Sequence, residues 1–161
     1  MKRILSAVLC VFLCILALTG CNAMPGGHGV KYSFYGENEY FSVSNGEINL
    51  GETEEVFDGG SLNITQSSIA ANIASFSTTF YTVKNEERII LLSNSTTDLT
   101  GGSAKLSGGL GTISGSDVFT QKISDANEWT ENLWFELSVT YTDGTERTYP
   151  LQLTVLMAPG A

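Results

Sequence analysis

Beyond residue 30, apolar side chains recur at every second position over short stretches, and Gly, Asn and Asp interrupt them. That is the period and the punctuation of half-buried β-strands. Phe41 and Val43 alternate with polar neighbours, and so do Ile48 and Leu50. Asn45-Gly46 lies between the two pairs and is the favoured dipeptide of a two-residue type I′ hairpin turn. This predicts a hairpin pairing Ser44 with Glu47, Val43 with Ile48 and Phe41 with Leu50, with the apolar residues on one face. A second alternation runs through Phe135, Leu137, Val139 and Tyr141 and resumes at Tyr149, Leu151, Leu153 and Val155. A two-residue loop at Asp143-Gly144 would set Leu137 opposite Pro150 and mix the faces. A three-residue loop, Thr142-Asp143-Gly144 with a left-handed Gly144, sets Leu137 opposite Tyr149 and Phe135 opposite Leu151. A one-residue slip turns every side chain over, so the apolar pattern selects the three-residue loop. Pro150 has no amide to donate, so it belongs at a sheet edge or with its missing donor pointing outward.

Further strands are expected at residues 31–35, 61–66, 75–83, 88–93, 104–106 and 118–124. Ile89-Ile90-Leu91-Leu92 is apolar on both faces, which reads as a central strand. Short helical turns are expected within residues 67–74 and 124–132; Ser124 or Asp125 would cap the second, with Trp129 turned inward. Many short strands at turn-bounded intervals predict an all-β fold, an immunoglobulin-like antiparallel β-sandwich, with a small antiparallel barrel as the alternative. No cysteine pair supports an antibody-type domain, and no internal repeat is visible.

The N-terminus breaks this pattern. Lys2 and Arg3 precede an almost wholly apolar run from Ile4 to Leu18. Basic start and apolar stretch have the form of a secretory signal, and the run is shorter than the roughly 20 residues of a membrane span. It ends in Leu18-Thr19-Gly20-Cys21, which resembles the lipobox of bacterial lipoprotein precursors. The resemblance implies that the chain is cut before Cys21 and that the Cys21 thiol carries a diacylglyceryl group. Residues 1–20 are then the signal peptide. Residues 21–30 form a lipidated tether, broken by Pro25, Gly26, Gly27 and Gly29. Residues 31–161 form one domain, of a length that supports a core without staples.

Charge and cysteine content narrow the chemistry. Cys10 and Cys14 leave with the signal, and an acylated Cys21 is then the last cysteine. No thiol remains for a disulfide, a nucleophile or zinc. Loss of Lys2 and Arg3 takes the basic residues from eight to six against 17 acidic ones, a side-chain balance of −11. Such a surface repels nucleic acid and anionic head groups, so membrane attachment falls to the lipid, whose two chains anchor stably.

Candidate sites are few. The single histidine, His28, lies in the tether, so the fold has no histidine for a hydrolase triad or metal site. Glu52, Glu54, Glu55 and Asp58 read either as a cation or acid–base cluster or as a solvated loop. Asp125, Asn127 and Glu131 have part of the spacing of a calcium loop, but Trp129 and Thr130 occupy positions where a ligand and a glycine belong. Gly101-Gly102, Gly108-Gly109 and Gly111 lack the strand-to-helix context of a phosphate loop and suggest a bulged edge or a mobile border to a binding surface. Tyr35, Tyr40, Tyr81, Trp129 and Trp134 are the aromatics available to a carbohydrate- or protein-binding face. No cofactor is expected beyond the covalent lipid. The expectation is a non-enzymatic, lipid-anchored domain outside the cell membrane that binds an envelope protein or glycan. Alternatives are a small carboxylate-dependent glycan hydrolase, or a passive accessory subunit.

Overall fold

The computed structural model describes residues 29–96, 106–116, 118 and 129–157. Cys21, His28, Gly101-Gly102, Asp125, Asn127 and most of the expected strand at 118–124 lie outside the described residues. So does most of the expected turn at 124–132.

The expected antiparallel β-sandwich forms. Sheet one contains β1 (Val30–Glu37), β2 (Phe41–Leu50), β3 (Glu55–Asp58), β4 (Ser61–Ile64), β7 (Gly108–Gly109), β8 (Thr112–Gly115) and β11 (Thr154–Met157). Sheet two contains β5 (Ile73–Lys84), β6 (Glu87–Thr96), β9 (Leu133–Tyr141) and β10 (Glu146–Gln152), ordered β10-β9-β5-β6. The main path of sheet one is β11-β1-β2-β3-β8; β4 pairs with the other half of β2, and β7 with β4. Both sheets end in edge strands, so the barrel alternative is not what forms. A 3₁₀ turn at Ser67–Ala70 falls in the expected place and buries Ile69.

The inward residues meet in one core. Phe34, Phe41 and Phe57 from sheet one face Phe80 and Phe135 from sheet two, all essentially buried. Ring centroids lie 5.0 Å apart for both Phe57–Phe80 and Phe80–Phe135, and 5.5 Å for Phe41–Phe135. Tilted and edge-on contacts of this kind add to the area that the rings remove from water. Trp129 turns inward as expected, its ring edge-on to Tyr32 at 4.5 Å.

The β9–β10 hairpin has the register selected by the apolar pattern, with Leu137 opposite Tyr149 and Phe135 opposite Leu151. Tyr141 donates its amide to the Thr145 carbonyl at 2.8 Å, closing a three-residue loop in which Gly144 has φ 83°. Pro150 sits on the edge strand β10, where its missing donor breaks no ladder bond. After Gln152 the chain crosses to sheet one at buried Leu153, whose amide donates to the Leu133 carbonyl at 2.9 Å. One extended segment therefore joins the sheets along one side.

Two expectations are corrected. Asn45-Gly46 is not a hairpin turn: β2 runs straight through it, so Val43 does not pair with Ile48, nor Phe41 with Leu50. Between the pairs Phe34–Gly46 and Gly36–Val43, Ser44 and Asn45 together oppose the single Tyr35, which makes a β-bulge. Asn45 takes the left-handed conformation (φ 57°), whereas Gly46 does not, and a type I′ turn needs both. The extra residue keeps Val43, Gly46 and Ile48 on the core side, which is why one face stays apolar. Gly46 is required for a different reason: a Cβ there would lie 2.0 Å from the Phe34 ring.

Second, residues Ile89-Ile90-Leu91-Leu92 belong to β6, an edge strand. Ile90 lies opposite Tyr81 and Leu92 opposite Phe80, leaving Leu91 as a bulged residue. The bulge turns Leu91 and Leu92 both toward the core and leaves Ile90 52% exposed. Four apolar residues in a row thus mark a bulge and not burial on two faces. Of the strand expected at 104–106, residues 104 and 105 lie outside the described residues; Leu106 is buried in the core, and strand pairing follows at Gly108–Gly109.

Candidate functional site

Sheet one is creased, and glycines set the crease. β2 changes partner at its bulge: Glu47–Leu50 pair with β3, and Phe41–Ser44 with β4. Gly59-Gly60 joins β3 to β4 opposite that bulge. Gly60 has φ 71°, and a Cβ on it would come within 2.3 Å of the Ser44 carbonyl. Asp58 Oδ1 accepts the Gly60 amide at 2.8 Å and holds the step. The next strand bends in line with it. The Gly59 amide donates to the Gly111 carbonyl and the Leu110 amide to the Gly60 carbonyl, each at 2.9 Å. Gly111 has φ 93°, and Asn94 Nδ2 donates to the Leu110 carbonyl from β6 at 2.6 Å. The Gly-rich segment after residue 107 is therefore a bent sheet edge.

The outer face is concave along this crease. One hollow of about 760 Å³ is lined by Ser33, Tyr35, Glu37, Ser42, Ser44, Asn45, Gln152 and Thr154, with backbone of the intervening residues. A second, of about 530 Å³, is lined by Asn45, Asp58, Ser61, Thr112 and glycines of the crease. They share Asn45 and so form one groove across the strands. Tyr35 is 49% exposed in it. Among the described residues, the side chains of Tyr35, Ser42, Ser44 and Asn45 make no hydrogen bond to protein.

The outer face of sheet two is different. Thr79 and Ser93 pair their hydroxyls at 3.1 Å, and Ser138 and Thr148 at 3.2 Å. Tyr81 and Trp134 stack nearly parallel, 14° apart, with centroids at 6.4 Å. Arg88 covers Tyr81 at 3.7 Å and forks to both carboxylate oxygens of Glu136 at 3.1 Å. Burial pushes the Tyr81 hydroxyl above the ordinary tyrosine range. The polar and aromatic groups on this face are largely matched to one another.

A third surface lies at the end of the sandwich away from Val30. Tyr40 packs on Tyr149 with centroids at 4.9 Å, and the Tyr141 and Tyr149 hydroxyls lie 3.1 Å apart. A hollow of about 300 Å³ beside them is lined by Ser68, Asn72, Tyr141, Asp143 and Arg147. Burial, and then the Tyr149 hydroxyl, push Tyr141 up to about 12. The Thr145 amide and hydroxyl hold Asp143 below the usual aspartate range, which suits a loop anchor and not a proton donor.

The sequence-predicted candidates are dispersed. Of the five aromatics singled out, Trp129 is in the core, Tyr81 and Trp134 stack under Arg88, Tyr40 packs on Tyr149, and Tyr35 enters the groove. Glu55 is buried at 5% exposure, Glu52 and Glu54 are exposed in the β2–β3 turn, and Asp58 caps the crease. Glu131 is exposed, and its carbonyl accepts Gln152 Nε2 at 3.0 Å. Among the described residues no three His, Cys, Asp or Glu side chains are placed to hold a metal ion, and no helix is long and apolar enough to cross a membrane. The sequence reading missed Ser42, Ser44 and Asn45 as site residues. The one signal for them was Asn45-Gly46, which also fits a hairpin. No family model, curated protein or solved structure matches this chain.

Proposed function

We propose that the protein is a lipid-anchored binding domain of the bacterial cell envelope, held outside the membrane through Cys21, with the creased face of sheet one as its docking surface. The observation that carries the binding role is the contrast between the faces. Sheet two engages its outward Tyr81, Trp134, Arg88 and Glu136 with one another and joins four of its hydroxyls in pairs, whereas the hollows on sheet one gather an exposed aromatic ring with hydroxyls and an amide that no described group engages. Buried polar groups need partners, so a ligand settling on those side chains must supply matching ones. The Leu18-Thr19-Gly20-Cys21 ending, after a basic start and an apolar run, supports the anchor.

Two experiments test this reading. Cys21→Ser should leave the chain uncut and without lipid label in a bacterial host; a mutant still cut and membrane-bound would sink the anchor. Protein made without residues 1–21, and so without lipid, should co-sediment with isolated cell envelopes, and Ser44→Trp, which fills the groove from an outward position, should abolish this while Ile90→Arg on sheet two leaves it intact. Equal sedimentation of both variants would place the docking surface elsewhere.

A further inference from the structure

We infer that the groove on sheet one takes a neutral, extended glycan, with Tyr35 as the platform for a sugar ring and Ser42, Ser44 and Asn45 as its polar contacts; this rests on the binding role proposed above. Three observations carry it. First, shape: the groove crosses β11, β1, β2, β4 and β7, a width of roughly 19 Å over four interstrand steps. That accommodates several sugar units lying across the strands.

Second, chemistry: its side-chain partners are hydroxyls and an amide, each able both to donate and to accept, beside one half-exposed aromatic ring. A pyranose brings hydroxyls around its rim and an apolar C–H face, and needs such a set. A peptide must also pair its main-chain amides, which it does by adding to a sheet edge. The β2 backbone under the groove is already paired on both sides, to β1 and to β3 and β4.

Third, charge: Glu37 borders one hollow and Asp58 the other, on a chain whose six basic residues beyond Cys21 face 17 acidic ones. An anionic polymer is repelled.

The test is calorimetric titration of the purified full-length chain in detergent. The probes are neutral hexasaccharides of β-glucan, chitin, mannan and galactan type, polygalacturonate, and an uncharged Gly-Ser-Thr dodecapeptide. At least one neutral hexasaccharide should bind, Tyr35→Ala should weaken it about tenfold at unchanged melting temperature, and Ile90→Ala should match the parent. Asn45→Gly, which keeps the left-handed backbone and removes the amide, should weaken binding without loss of fold. The inference is overturned if no neutral hexasaccharide binds, if polygalacturonate binds more tightly, or if Tyr35→Ala binds as the parent does. Peptide binding lost in Ser44→Trp would assign the groove to a protein ligand instead. Envelope sedimentation that depends on Ser44, with no neutral glycan bound, would retain the docking surface and reject its ligand class.

Discussion

Gly46 shows how much one missing side chain can set. Its vacancy admits the Phe34 ring, which stacks on Phe57 at 5.2 Å and meets Phe80 at 5.7 Å. Gly46→Ala should therefore destabilise the protein by about 1–3 kcal/mol, as overpacking does. The cost should shrink when Phe34→Leu is combined with it, because the two positions share one space. Paired urea melts would show this, and strictly additive losses would exclude the contact. The tyrosines make a prediction about pH. Tyr141 is raised from the ordinary tyrosine value of 10.0 to about 12, so between those values the native state keeps a proton that the unfolded chain has released. Stability should be independent of this group below pH 10 and fall as pH rises from 10 to 12. Tyr149→Phe removes a hydroxyl that raises the Tyr141 value and should flatten that fall, measured by urea melts at pH 9, 10 and 11.

At the scale of elements, turns and bulges share a vocabulary. Asn45-Gly46 and Asp143-Gly144 look alike in sequence, yet the first bulges a continuous strand and the second closes a hairpin. The second was resolvable because two long alternating stretches flank it, and only one loop length keeps both on the core side. The first has two apolar residues on each side, and hairpin and bulge both leave the same face apolar. Gly144→Ala tests the loop: φ is 83° and nothing lies within 4 Å of the added Cβ, so backbone strain alone should cost about 1–2 kcal/mol. A change well above that would mean that the residue packs against something. In β6, bulging explains why four successive apolar residues end at an edge: Leu91 and Leu92 both reach the core, and Ile90 is left outside.

For the whole molecule, stability rests on one aromatic core between two sheets. Phe80 is its hub, with ring contacts to Phe34, Phe57 and Phe135. Phe80→Ala should cost about 3–5 kcal/mol, a large share of the ~5–15 kcal/mol that holds a typical domain folded. Thermal melting would check it, and a loss below about 1 kcal/mol would mean that the core closes over the gap. By contrast, breaking the Lys31–Glu47 pair, 2.7 Å apart but half exposed on both sides, should change little.

The sequence by itself determined the strand alternation, hence the all-β class, the inward placing of Phe41 and Phe135, and the register of β9 and β10. Those follow from local period and turn chemistry, which a chain carries with it. The tertiary structure decided which strands neighbour one another, that Ile89–Leu92 lie at an edge, and that Asn45-Gly46 bends a sheet. It also brought Tyr35, Ser42, Ser44 and Asn45 to one concave face. Neighbourhood across a sheet depends on pairing between distant segments, and concavity depends on several kinks falling in line. Neither leaves a periodic mark on any single segment, so the groove became visible only when β1, β2, β4 and β7 were laid side by side.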